Sequence, residues 1–277
     1  MCSTTTGSSN AAVGRRALTS NTTGVHNVAM GFNSLFATTT GLCNVGVGGG
    51  ALQSNTTGCY NIGIGRFANC ANLTSNSNTA VGHQSLKLNT AANNTAVGYE
   101  ALSANTSGAH SVAVGCGALA SNTTSGENTA VGFGALAAQN TGTPNDAFGN
   151  QSLCKLTTGT QNTGLGFRAM CDVTTGVRNV SVGNSAGYKT TTGNENVAIG
   201  RASNLSNTTG NNNVSVGHCA GYNITTGGQN INIGGFTTVA SATASYSLVI
   251  GYNIVGKGAN TGYIAPDGTS SGGIYQG

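Results

Sequence analysis

"NTAVGYEAL", at residues 94–102, is one copy of a phrase that recurs along the whole chain. Close copies stand at residues 128–136 (NTAVGFGAL) and 27–35 (NVAMGFNSL). A glycine holds the place of Gly98 in every copy, and we call it the marker glycine. The fifteen marker glycines are Gly14, Gly31, Gly48, Gly65, Gly82, Gly98, Gly115, Gly132, Gly149, Gly166, Gly183, Gly200, Gly217, Gly234 and Gly251. Such internal repetition predicts a repeat architecture.

The repeat has a period of 17 residues. Thirteen of the fourteen intervals between marker glycines are 17 residues, and the interval from Gly82 to Gly98 is 16. Counted from the marker glycine, position −1 is always apolar, position −4 is Asn in thirteen copies, and position −2 is Ala, Gly or Ser in thirteen. Position +4 is Leu or Met in nine copies, and a Thr-Thr-Gly-like turn ends at position −7, as in residues 22–24.

This pattern predicts a five-residue strand, a glycine corner, a second short segment and a turn in each repeat. Seventeen residues is shorter than the common helix-containing repeats. We therefore predict an all-β fold, a β-solenoid (parallel β-roll) of about fifteen 17-residue coils. At the strand spacing of ~4.8 Å it would form a rod roughly 70 Å long. The expected organisation is an N-terminal segment at 1–6, the rod at 7–255 and an irregular tail at 256–277.

The 16-residue interval falls on a turn, at residues 88–94, where Ala91 replaces the turn glycine. We expect the strands on either side to keep their register, because a turn tolerates length changes better than a strand ladder does.

Stacking of identical positions predicts ladders of side chains from coil to coil. Asn side chains at position −4 can hydrogen-bond along the stack. The apolar residues at position −1 form a second ladder, and together with the Val, Ile and Thr residues at −3 they are expected to line the interior. The predicted ladder residues are Asn27, Asn44, Asn61, Asn78, Asn94, Asn128, Asn162, Asn179, Asn196, Val81, Val97, Val114 and Val131.

Alternation places positions −4 and −2 on the opposite face from −3 and −1. If −3 and −1 are interior, the small residues at −2 look outward, where nothing in a monomer would restrict their size. We interpret this restriction as the close approach of another chain, which makes the protein an obligate homo-oligomer.

Composition excludes several function classes. Glycine supplies 45 of 277 residues, charged residues make up 6%, and tryptophan is absent. A compact core normally contains more large side chains, and disordered chains contain more charge and proline. The net charge of +4 is spread over the chain, which argues against nucleic-acid binding. No apolar run approaches the ~20 residues of a membrane span, and the first ten residues do not resemble a signal peptide.

The repeat resembles that of known fibre proteins. "NTAVGYEAL", "NVAMGFNSL" and "NVAIGRASN" are similar to the head repeats of trimeric autotransporter adhesins, and more closely to repeats of viral and phage tail fibres. The resemblance covers residues 7–255 and implies a left-handed parallel β-roll, a trimer, surface exposure and attachment. The chain departs from the adhesins in its longer period, and we expect no coiled-coil stalk or membrane anchor within residues 1–277.

The sequence offers little chemistry. Three G-x-G-x-x-A matches, at 46–51, 63–68 and 164–169, are by-products of the repeat, so we predict no bound cofactor. Four scattered histidines and six scattered acidic residues predict no metal site and no carboxylate pair. Twelve N-x-S/T sequons follow from the turn preferences of Asn and Thr; they include Asn21, Asn55, Asn105, Asn122, Asn207 and Asn223.

Eight cysteines lack a C-x-x-C pair, which argues against zinc. Cys154 and Cys171 share one position in adjacent coils, at a separation that permits a disulfide. Free cysteines acting as small hydrophobic side chains are the preferred interpretation, and this bridge is the alternative.

We expect a structural role, as a fibre or adhesin-head rod that forms or presents an attachment surface on a virion or cell exterior. Its partners would be further copies of itself and, through multivalent contacts, a surface glycan or host surface protein. One alternative is a self-assembling extracellular filament without a dedicated receptor, because no helix is predicted to cover the last coil and open strand edges can pair. Another is an ice-binding β-solenoid, because the threonine pairs form a regular array. We expect no enzymatic activity.

Overall fold

The computed structural model describes residues 6–139, 141–266 and 274–276. These ranges contain short strands and no helix. The strands recur about every 17 residues and pair in parallel, so the chain is an all-β solenoid of about fifteen coils, as predicted. It comprises two compact units, Met1–Thr141 (unit 1) and Gly142–Gly277 (unit 2). Cys2 and Asp267 lie outside the described residues.

The described part of unit 1 contains eight strands, which pair in parallel in chain order from β1 to β8. Identical repeat positions stand opposite each other, as Ala96 does to Ala113. Each strand covers positions −3 to −1, three residues instead of the five predicted. The strands are β1 (Ala11–Val13), β2 (Val28–Met30), β3 (Val45–Val47), β4 (Ile62–Ile64), β5 (Thr79–Val81), β6 (Thr95–Val97), β7 (Val112–Val114) and β8 (Thr129–Val131).

Unit 2 continues the same pattern through β16 and ends differently. Its strands are β9 (Asn145–Phe148), β10 (Asn162–Leu165), β11 (Val180–Val182), β12 (Val197–Ile199), β13 (Val214–Val216), β14 (Ile231–Ile233), β15 (Leu248–Gly251), β16 (Gly262–Ala265) and β17 (Ile274–Gln276). β9 to β16 are parallel, whereas β17 pairs antiparallel with β16. The tail at 256–277, expected to be irregular, thus contains two strands, and the edge of β16 is covered by a strand and not left open.

The marker glycines form the predicted corners. Gly98 has φ +136°, a conformation that residues with a Cβ rarely adopt, and a Cβ on it would lie 2.5 Å from the carbonyl oxygen of Gly115. Three further residues of the same coil, Asn93, Glu100 and Leu102, have φ values of 62°, 53° and 53°. The left-handed region is costly for a leucine. The local conformational preference of leucine therefore did not predict a bend of the chain at position +4.

The interior is built from positions −4, −2, +3 and +4. Ala96, Ala101 and Leu102 are fully buried, which confirms that the leucine at +4 closes the second segment. The assignment of the strand faces was wrong, because position −2 points inward and positions −3 and −1 point outward. Position −2 is small because the +4 leucine of the preceding coil packs beneath it: a Cβ on Gly46 would lie 3.1 Å from Leu35 Cγ.

Positions −2 and +4 of one coil compensate each other in volume. Serine stands at −2 in two coils of unit 2, and each has glycine in place of the +4 leucine. A Cβ on Gly187 would lie 2.6 Å from Ser181 Oγ, and Ser215 with Gly221 repeats the arrangement. The serine hydroxyl therefore occupies the space that a leucine Cβ would need.

The short interval behaves as predicted. Thr79 and Val81 stand opposite Thr95 and Val97, in unchanged register. The missing residue is absorbed by the turn, where Asn89 Nδ2 donates to the carbonyl oxygen of Ala91 at 2.7 Å.

Candidate functional surfaces

The asparagine ladder at position −4 forms in both units. Asn162 Oδ1 accepts from the backbone N–H of Asn179 at 3.1 Å and from its Nδ2 at 3.0 Å. Asn179 Nδ2 also donates to the carbonyl oxygen of Gly193, a turn glycine of the following coil, at 2.8 Å. Each amide thus joins a strand to its neighbour and to the next turn. Among the predicted members, Asn27, Asn44, Asn61, Asn78, Asn94, Asn128, Asn162, Asn179 and Asn196 are all buried.

A second asparagine ladder, at position +7, was missed. Asn122 Nδ2 donates to Asn105 Oδ1 at 3.1 Å, and Asn105 Nδ2 to Asn89 Oδ1 at 2.6 Å. The sequence signal was present in the "NTTG" phrases, whose asparagines we attributed only to turn preference. Five of the named sequon asparagines are fully buried and so are closed to a glycosylating enzyme in the folded chain: Asn21, Asn55, Asn105, Asn122 and Asn207.

The outward strand face carries an apolar stripe in each unit. Val97, expected to be interior, is 36% exposed, and Val81, Val114 and Val131 are only half-buried. They do stack from strand to strand as a ladder. Position −3 contributes Val, Ile and Thr to the same face. We call positions −3 and −1 together the outer apolar face.

Aromatic and cationic side chains follow at positions +1 and +2, just past the glycine corner. Phe32 and Tyr99 are about half exposed. The Arg15 guanidinium lies 5.8 Å from the Phe32 ring centroid, and the His83 ring stacks on Tyr99. A hydrogen bond to Glu100 raises the pKa of the Tyr99 hydroxyl. These rows form a surface different in chemistry from the outer apolar face.

A shallow groove of about 380 Å³ crosses three coils of unit 1 between positions +2 and +5. Its lining is Gln53, Ser54, Phe67, Cys70, Gln84 and Lys87. Burial raises the pKa of the Cys70 thiol, although the nearby Lys87 opposes this shift. The thiol is therefore held in its neutral form, which does not suit a nucleophile.

The two threonines of each turn differ in their surroundings. Thr174 Oγ1 donates to the carbonyl oxygen of Thr191 at 3.2 Å, and Thr191 Oγ1 to that of Thr208 at 3.0 Å. The second threonine of each pair, such as Thr175 and Thr192, is exposed. Half of this array therefore belongs to the scaffold, and half faces solvent.

Cys154 and Cys171 form a disulfide, with a Cα–Cα distance of 5.0 Å, so the preferred interpretation of these two as free thiols was wrong. Lys155 and Asp172 directly follow the two cysteines in the sequence. Lys155 Nζ lies 2.7 Å from Asp172 Oδ1, and this hydrogen bond raises the pKa of the lysine. Bridge and ion pair join the same two neighbouring coils of unit 2.

No group of three or more His, Cys, Asp or Glu side chains in the described part of the chain is placed to hold a metal ion. Within the same residues, no helix has the length and apolar character needed to cross a membrane. The candidate functional surfaces are the groove, the aromatic rows, the exposed threonine column and the outer apolar face.

No protein-family model matches the chain, and neither a curated protein nor a solved structure matches it. The fold defines a β-solenoid repeat protein.

Proposed function

We propose that this protein is a structural fibre or adhesin-head component that associates with two further copies of itself. In this role it presents an attachment surface on the exterior of a virion or a cell. The observation that carries the proposal is the outer apolar face. The tail-fibre and adhesin resemblance of the repeat supports the choice of a trimer.

The outer apolar face favours self-association on physical grounds. A soluble monomer rarely exposes a long contiguous apolar patch, and burying one releases roughly 25 cal/mol per Å² of apolar surface. A ladder of identical positions presents the same side chains at every coil, so a second copy can match it along its length. The small residues at −2 do not support association, because they are interior. The surface proposed to contact another copy is formed by positions −3 and −1.

The strand edge at the end of unit 2 bears on the filament alternative. β16 pairs with β15 on one side and with antiparallel β17 on the other, so its outer edge is not free to receive a parallel coil of another copy. This arrangement argues against the alternative of an end-to-end filament without a receptor.

Negative-stain electron microscopy of the purified chain tests the proposal. We expect discrete particles of one length that are wider than a single solenoid. Long fibres would favour the filament alternative, and particles one solenoid wide would contradict association through the outer apolar face.

The exposed threonine column supports ice binding as a second candidate. Thr158, Thr175, Thr192 and Thr209 repeat at the coil spacing and are exposed. The first threonine of each pair donates its hydroxyl to a carbonyl oxygen of the next coil and is not available to ice. The exposed column also lies on a bend and not on a flat strand, so both observations weaken this candidate. A thermal-hysteresis measurement decides it: coincident freezing and melting temperatures of an ice crystal in the presence of the protein would eliminate ice binding.

A further inference from the structure

The groove of unit 1 is a built feature of three successive coils. Gly50, Phe67 and Gln84 stand at position +2 of these coils, and Gln53, Cys70 and Lys87 at position +5. All of the groove side chains are half-buried, so each presents part of its surface to solvent. The volume of about 380 Å³ is within the range of small-ligand sites.

The lack of a side chain at Gly50 leaves space for the ring of Phe67. Gly50 has φ +69°, and a Cβ there would lie 2.7 Å from Phe67 Cδ1. The phenyl ring thus leans over the glycine of the preceding coil. The Arg66 guanidinium lies 4.5 Å from the ring centroid, so contacts from two residues fix the orientation of Phe67.

The polar lining combines two amides with a lysine. Gln53 and Gln84 each offer an amide donor and an acceptor, and Lys87 offers three donors. No carboxylate lines the groove, and Lys87 forms no ion pair within the described ranges. The carboxylate of Glu100, one coil beyond Gln84, interacts with the Tyr99 hydroxyl.

We propose that this groove binds an acidic saccharide. The apolar face of a sugar ring would pack on the part of the Phe67 ring that Arg66 leaves exposed. The amides of Gln53 and Gln84 would exchange hydrogen bonds with its hydroxyls, and Lys87 would pair with its carboxylate. A simple anion would contact only Lys87, and a neutral sugar would leave the charge of Lys87 unpaired. An acidic saccharide would engage all of these side chains. The inference goes beyond the proposed structural role, because it assigns a ligand class and does not require association of copies.

Titration calorimetry with a trigalacturonate, and with the matched neutral galactose trisaccharide, tests the assignment. For the full chain we expect the acidic probe to bind about tenfold more tightly, equivalent to about 1.4 kcal/mol. Lys87→Gln should lower the affinity for the acidic probe to that for the neutral one, and Phe67→Ala should weaken both. Lys189→Gln removes an exposed lysine of unit 2 and should change neither. Circular dichroism melting verifies that each variant is folded.

Equal affinity for the two probes, or an unchanged affinity in Lys87→Gln, overturns the acidic specificity. The absence of binding of both probes at their solubility limits overturns the site. High salt gives an independent readout, because it should weaken only the acidic probe. Since binding is measured whatever the oligomeric state, a monomeric protein that binds the probe would refute the structural proposal and leave this site standing.

Discussion

At the scale of single residues, the marker glycine carries the fold. Its φ and its contact with the next coil both exclude a side chain, and the regular spacing of this one residue type made the solenoid predictable from sequence. The conformation of Leu102 was not predictable, because no local preference favours a leucine in the left-handed region. Only the closure of a 17-residue coil requires it.

Gly98→Ala should destabilise unit 1 severely. The new Cβ would be strained and would press on the carbonyl of Gly115, so we expect a loss of about 3–5 kcal/mol in the free energy of unfolding. Gly117→Ala is the matched control: its φ is +66°, but nothing lies within 4 Å of the added Cβ, so it should cost about 1–2 kcal/mol. Urea denaturation of both variants measures the difference, and equal losses would show that contact between coils is unimportant.

Asn179→Ala should also be costly. It removes two donated bonds and leaves the buried N–H of Asn196 without its acceptor. A loss of about 3 kcal/mol follows, at about 1–3 kcal/mol for each buried group left unpaired. Asn150→Ala, at an exposed position, should be nearly neutral under the same denaturation. A small effect of Asn179→Ala would mean that the ladder is incidental to stability.

At the scale of strands and coils, the sequence predicted the period and the register but not the inward face. We placed the more hydrophobic row inside, as is usual for a strand. Where the preceding coil has leucine at +4, position −2 is Ala or Gly, because the leucine packing beneath it leaves no room for a larger side chain. The larger Val and Ile side chains therefore point outward, and steric fit outweighs hydrophobicity in deciding the face.

The disulfide should stabilise unit 2. It joins residues 17 apart, and closing a loop of this size in the unfolded chain is worth about 3 kcal/mol. Intact mass spectrometry without reductant should show two hydrogens fewer than with reductant. A Cys154→Ser, Cys171→Ser double variant should unfold at lower temperature, whereas Cys219→Ser, which removes a free cysteine, should not. Equal masses in the two conditions would refute the bridge.

The pairing of Ser181 with Gly187 gives a coupled prediction. Gly187→Leu alone should destabilise by about 2–5 kcal/mol, because a side chain at its φ of +59° is strained and the new side chain meets Ser181 Oγ. Combining it with Ser181→Ala should recover only the part that comes from the contact, about 1–3 kcal/mol. Equilibrium unfolding of the two single variants and the double variant measures the coupling. Additive effects would contradict volume compensation between positions −2 and +4.

At the scale of the whole molecule, sequence composition predicted a thin, weakly charged protein, and the small residues at −2 were interpreted as evidence for a partner chain. Those residues are interior, so the proposed association rests on the outer apolar face instead. The groove could not be predicted, because it depends on which side chains of three coils meet at positions +2 and +5 and on the gap left by Gly50.

Sedimentation equilibrium of the wild-type chain and of Val97→Asp tests the central claim, association through the outer apolar face. The wild type should have three times the 27.2 kDa mass of one chain. Val97→Asp should remain folded, because Val97 is 36% exposed, yet sediment as a single chain, since a charge would be buried in the contact. Ser121→Asp, at an exposed position outside that face, should keep the wild-type mass. A wild-type mass of 27.2 kDa, or a Val97→Asp variant that associates as the wild type does, would contradict the account.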